Sequence, residues 1–138
     1  MVVLHAFAGA PVPADTGWTD GSFGGAGAGD AAAIQPSTLS SLTCRLSVAS
    51  SSTQCELVAL SLVAKLRPPP SLMLTDSLVS LQLIQSWGRR PIAEVIACPD
   101  RQEVRCFMYQ WLAIPNPPCL GKVKAHDLDA IRPLCLWK

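Results

Sequence analysis

The chain has 138 residues, of which 49% are apolar and 15% charged, with a formal net charge of +1. That length suits one domain with a sizeable core, and the composition excludes a disordered polyelectrolyte. Near-neutrality excludes a whole-molecule field as the basis of nucleic-acid binding, so any such role must rest on a local patch.

The chain opens with "MVVLHAFAGAPVPADTG", an apolar start with no Lys or Arg ahead of it, which then runs into Pro-Val-Pro. It reads as a strand or extended arm rather than a signal peptide. No stretch reaches the 18 or so consecutive apolar residues of a membrane span, so no membrane partner is expected and the location is intracellular, nucleus or cytoplasm. Residues 1–15 form this lead-in, 16–127 the domain and 128–138 a divergent tail.

"TDGSF" (19–23) is a short strand, followed by the Gly/Ala link "GGAGAGD" and a returning strand "AAAIQ". The link lacks the Gly-Lys-Ser/Thr ending of a phosphate-binding loop and is a turn. From 42 to 48, Leu42, Cys44, Leu46 and Val48 alternate with Thr43, Arg45 and Ser47, the pattern of a half-buried strand. These three strands form an antiparallel meander.

"SSSTQCELVALSLVAKLRPPP" offers N-cap serines, Leu57, Leu60 and Ala64 at helical spacing, and three prolines that stop a helix after Arg67. "SLMLTD" (71–76) is a buried strand whose Asp76 caps the next helix, "SLVSLQLIQSWG", ended by Gly88. Residues 91–98 add a short helix. In "PDRQEVRCFMYQWLA", Asp100 and Glu103 have capping-box spacing, and Val104, Phe107, Met108 and Trp111 define the buried stripe. "CLGKVKAHD" closes the readable part as a strand. The order predicts an α/β domain with a mixed five-stranded sheet flanked by helices.

Six cysteines stand at 44, 55, 98, 106, 119 and 135 without a Cys-x-x-Cys pair. Cys44, Cys55 and Cys106 fall inside apolar periodic segments, as buried thiols of a reducing compartment do. A set of Cys98, Cys106, Cys119 and His126 matches no zinc-ligand spacing.

Each candidate site residue has an ordinary reading when taken singly. Asp20 of Asp-Gly is a turn residue, Glu56 a first-turn acid favoured by the helix dipole, Asp76 an N-cap and His126 a loop histidine. Taken together, Asp20 on the first domain strand, Glu56 on the first helix and Asp76 at the carboxyl end of the fourth strand converge at one end of the sheet, where α/β folds bind ligands. Three crowded carboxylates call for divalent cations, and all-oxygen ligation suits Mg²⁺ or Mn²⁺. Two such ions would activate a water and stabilise the leaving oxygen of a phosphodiester, with His126 assisting proton movement.

The ordered set "TDGS" (19–22), "TQCELVAL" (53–60), "LMLTDS" (72–77) and "KVKAHD" (122–127) resembles the ribonuclease H family, especially the type attached to reverse transcriptases of retroelements. The resemblance implies that Asp20, Glu56 and Asp76 hold two Mg²⁺ or Mn²⁺ ions and that His126 is the mobile-loop histidine. It implies an endonuclease that cuts the RNA strand of RNA–DNA hybrids, with a reverse transcriptase as the neighbour in a longer polyprotein. Hybrid contacts are expected from the backbone around Gly21 and Ser22 on the RNA strand, and from Trp87, Arg89 and Arg90 on the DNA strand. The family continues past its histidine into a final helix that supplies a fourth aspartate. Here "HDLDAIRPLCLWK" lacks that segment, with Asp127 and Asp129 in loop positions, so the final helix is expected to be missing. The alternative is a catalytically dead or weakened remnant that is structural or binds hybrid weakly.

Overall fold

The computed structural model describes Leu4–Ala6 and residues 13–24, 26–89 and 91–123. In chain order the strands are β1 (Leu4–Ala6), β2 (Gly17–Phe23), β3 (Gly29–Gln35), β4 (Ser40–Leu46), β5 (Leu72–Thr75) and β6 (Cys119–Lys122). The helices are α1 (Ser52–Ser61), α2 (Leu78–Ser86), α3 (Ile92–Ala97) and α4 (Arg101–Leu112). The strands form one mixed sheet in the order β1-β6-β5-β2-β3-β4. The sheet is therefore six-stranded rather than five-stranded, because Leu4–Ala6 of the lead-in pairs in parallel with β6, Leu4 opposite Leu120. The tail, where the final helix is expected to be missing, and Arg90, His126, Asp127 and Asp129 lie outside the described residues.

β2, β3 and β4 make the antiparallel meander that the alternation predicts. β5 then joins the opposite edge of β2 in parallel, with Gly17 opposite Met73 and Trp18 opposite Leu74. The chain thus leaves β2 in one direction and returns, through α1, on the other side. That reversal makes the carboxyl ends of β2 and β5 a topological switch point, the place where open α/β sheets leave a crevice.

One face of the sheet carries the main core. Ala31 and Ala33 of β3, Met73 and Leu120 meet Leu57 and Leu60 of α1, Leu81 and Ile84 of α2, and Val104, Phe107 and Trp111 of α4. The two alanines keep the sheet surface low, so α1 lies close against it. Phe107 and Trp111 stack with ring centroids 6.3 Å apart, and the Trp111 indole N–H donates to the Pro118 carbonyl at 3.2 Å. The other face holds a smaller cluster of Leu72, Leu74 and Val123 with Trp18 and Cys119.

Several local expectations are corrected. β4 ends at Leu46, and Val48, predicted to face inward, is 84% exposed. The Ala49 amide instead ties back to the Gly27 carbonyl, which closes the loop before another strand residue forms. α1 ends at Ser61 and tightens into a 3-10 turn over Leu62–Lys65, so the helix stops short of Arg67. Its N-cap is Ser51, whose hydroxyl accepts from the Gln54 amide, which moves Glu56 into the second turn. Ser77, not Asp76, caps α2 by accepting from the Ser80 amide.

Asp100 precedes α4 without a side-chain cap bond. Its intended partner Glu103 accepts from Gln54 Nε2 at 2.8 Å, so the capping box gives way to an α1–α4 link. Cys55 and Cys98 are buried free thiols, Cys44 and Cys119 are half-buried, and Cys106 is exposed on the outer face of α4.

Candidate metal centre

The register of β2 and β5 brings two identical dipeptides side by side. With Trp18 opposite Leu74, one further step sets Thr19 beside Thr75 and a second sets Asp20 beside Asp76. The ladder pairing stops at Trp18 and Leu74, and Thr19 Oγ1 makes the last tie by donating to the Leu74 carbonyl at 3.3 Å. Beyond that tie the ladder pairing ends, and the two aspartates come next along their chains.

Glu56 arrives from α1. The helix can seat its second turn on the sheet because β2 carries glycine there. A Cβ on Gly21 would lie 2.5 Å from the Cys55 carbonyl carbon and 2.6 Å from the Glu56 nitrogen. Strand glycines often mark such close backbone approach. On β3, a Cβ on Gly29 would collide with the Cys55 sulfur and lie 2.8 Å from the Ser22 carbonyl oxygen. The helix backbone at residues 55 and 56 is thus pressed against Gly21, and the Cys55 side chain against Gly29.

Asp20, Glu56 and Asp76 each offer a carboxylate oxygen within 4.8 Å of the others. Glu56 is buried at 8% exposure, while the two aspartates are half-buried. The Gly21 amide and the Thr75 hydroxyl donate to the Glu56 carboxylate. Its Oε2, fully buried, has no hydrogen-bond donor among the described residues. Burial, and then the charge of Asp76, push the Glu56 carboxyl up to about 8. A buried acceptor with no donor facing another carboxylate is costly unless a proton or a cation lies between them.

The donor set fits a hard divalent cation. Oxygen ligands at about 2.0–2.1 Å from Mg²⁺ place opposite ligands about 4.2 Å apart, so a cluster spanning 4.8 Å needs only a side-chain adjustment to close around an ion. An orphaned buried oxygen adds what three clustered acids alone would not supply: one of the three carboxylates is already desolvated, with an oxygen that has no donor among the described residues.

The remaining site expectations are distributed differently. Ser22 is exposed on β2, next to the acids. Gly21 spends its amide on Glu56. Trp87, half-buried, packs against the main core, and Arg89 is exposed and donates to the Gln85 carbonyl of its own helix at 3.3 Å. Both sit at the far end of α2, about 15 Å from its start beside Asp76 at 1.5 Å per residue. They are not brought to the acid cluster. Arg90 and His126 lie outside the described residues.

The pair Thr19 and Thr75 was missed by sequence reasoning, although its signal was present: "TD" occurs twice, once on each of two strands, β2 and β5, that the crossover through α1 makes parallel neighbours. Among the described residues, no helix is long and apolar enough to cross a membrane. Neither models of known protein families nor curated proteins match the chain.

Proposed function

We propose that the chain is a retroelement-derived, ribonuclease H-like nuclease that hydrolyses the RNA strand of RNA–DNA hybrids with Mg²⁺ or Mn²⁺. The observation that carries this reading is the acid cluster itself. Asp20, Glu56 and Asp76 come from a strand, the helix and the end of a neighbouring parallel strand, and they meet at the switch point of a mixed sheet with one carboxylate oxygen buried and lacking a donor among the described residues. The meander, the crossover helix and the parallel return are also the order expected of that fold.

In this reading the three acids hold two ions, and the ions supply activation of a water and stabilisation of the leaving oxygen of a phosphodiester. Asp20 and Asp76, half-buried, are the ligands open to a phosphate approaching along the crevice. Glu56 anchors the centre from below. The exposed Ser22 lies beside the acids, where the RNA strand would pass, and His126 is assigned to proton movement. Trp87 and Arg89 at the exit of α2 would meet the DNA strand farther along the hybrid. A reverse transcriptase in the same polyprotein is the partner that supplies such hybrids.

Cleavage of a labelled RNA–DNA hybrid tests the assignment. Purified protein should cut the RNA strand with Mg²⁺ or Mn²⁺, and Asp20→Ala should lower the rate by more than about a hundredfold, beyond the range seen when only outer-shell partners of a metal are lost. Equal cutting by Asp20→Ala would sink the site assignment. Retention of hybrid without metal-dependent cutting by folded protein would favour the non-catalytic alternative.

A further inference from the structure

The two aspartates of the centre are each preceded by a threonine that is fully buried, Thr19 and Thr75, both at 0% exposure. Strand alternation turns these hydroxyls to the α1 side of the sheet, away from the face that carries Trp18 and Leu74. Thr19 is occupied in tying the strands together, through the Leu74 carbonyl. Thr75 has a different pair of neighbours. Its Oγ1 lies 3.1 Å from the Ser77 amide nitrogen and also contacts the Glu56 carboxylate.

The direction of both bonds follows from chemistry. A backbone amide can only donate, so Thr75 Oγ1 accepts from Ser77. A hydroxyl has one proton, and with the amide bond fixed that proton is given to the acceptor on the other side, the Glu56 carboxylate. The bond to Ser77 closes a threonine turn around residue 76, which fixes the backbone that carries Asp76. The bond to Glu56 occupies one carboxylate oxygen and leaves Oε2 without a donor among the described residues. One buried hydroxyl is thus bonded to both segments that present metal ligands.

We propose that Thr75 is a positioning residue of the metal centre, its hydroxyl orienting Glu56 from α1 and pinning the turn that carries Asp76 after β5. This rests on the metal-dependent reading of the acid cluster and deepens it. The hydroxyl does not ligate the ions; it sets two ligands at a fixed separation before an ion arrives. Outer-shell partners of this kind change metal affinity about 10–100-fold when removed.

The test compares wild-type protein with Thr75→Val, which keeps the shape and loses the hydroxyl, and with Thr75→Ser, which keeps the hydroxyl. Thr75→Ala serves as a second hydroxyl-free variant should the valine disturb packing. Mn²⁺ affinity is measured by calorimetry. The amide resonance of Gly21, whose N–H donates to the Glu56 carboxylate, is followed by NMR in metal-free protein.

The hydroxyl-free variants should bind Mn²⁺ about tenfold more weakly and shift the Gly21 resonance, and Thr75→Ser should restore both. Unchanged Mn²⁺ affinity and an unchanged Gly21 resonance in folded Thr75→Val would overturn the proposal, as would an equal loss in the serine variant. If the wild type took up no Mn²⁺ while the Gly21 resonance still followed the hydroxyl, the metal reading would fail and the positioning of Glu56 would stand.

Discussion

In metal-free protein, Glu56→Gln is expected to melt at a higher temperature than the wild type at about pH 8.5, by about 10 °C, and to match it near pH 5. The sign follows from proton linkage. The Glu56 carboxyl has an ordinary value of 4.5 and is raised to about 8 in the fold by burial and by Asp76. Between those values the folded chain holds a proton that the unfolded chain has released. Wild-type stability is therefore fullest below about 4.5 and declines as pH rises, levelling once the folded carboxyl has ionised above about 8. Glutamine carries no such proton and removes this part of the slope.

A shift of this size corresponds to a few kcal/mol, and each kcal/mol moves the melting temperature of a chain this long by about 4 °C. Asp100, also raised by burial and by Glu103, adds a slope of the same sign. The difference between wild type and variant, rather than either profile alone, isolates Glu56. Mn²⁺ should reverse the ranking at high pH, because a bound ion takes the place of the proton on the wild-type carboxylate and stabilises the fold by mass action. Parallel melting profiles for the two proteins across this pH range would show that Glu56 ionises as an ordinary surface acid.

The same cluster shows what could be read in the sequence and what could not. Asp20, Glu56 and Asp76 were legible because each sits at a recognisable place: a strand before a glycine link, the start of a helix marked by capping serines and by Leu57 and Leu60, the end of a short apolar strand. Their finer placement was not. Ser50, Ser51, Ser52 and Thr53 are four consecutive residues able to cap a helix, so the turn on which Glu56 lies could not be counted from the sequence. Asp76 and Ser77 are likewise both good caps, and the choice fell to Ser77 in a structure where Thr75 already holds the Ser77 amide.

Glu103 has the spacing of a local capping box, yet its bond goes to Gln54 on another helix, a contact that local spacing does not encode. Val48 continues the alternation of β4 perfectly, but the Gly27 carbonyl captures the next amide and ends the strand. β1 is only three residues long, too short for periodicity to register, and its pairing with β6 depends on a strand more than a hundred positions away.

Gly21→Ala is expected to destabilise the fold by about 1–3 kcal/mol or more, the range of overpacking in a tight interior, and to weaken Mn²⁺ binding as well. In the sequence this glycine reads as half of an Asp-Gly turn; in the structure it is a mid-strand residue paired with Ala31. Nothing in its backbone conformation demands glycine, since its φ is not among the positive values, which are confined to Leu39 and Gly27 among the described residues. The demand comes from the neighbour.

An added Cβ would meet three backbone atoms of α1, the Cys55 carbonyl carbon and oxygen and the Glu56 nitrogen, all within 2.7 Å. Side chains can rotate away from such a contact, but helix backbone moves only as a unit. α1 would have to lift from β2, carrying Glu56 away from Asp20 and Asp76 and stretching its bond to the Gly21 amide. Gly24→Ala provides the comparison, since its Cβ would meet only the Ala28 carbonyl at 3.4 Å, and it should melt within about 2 °C of the wild type. If Gly21→Ala did the same and kept wild-type Mn²⁺ affinity, the close seat of α1 on β2 could not be what positions Glu56. A loss of both stability and affinity would tie the "TDGS" glycine to the metal centre through packing, independently of any contact it makes with nucleic acid.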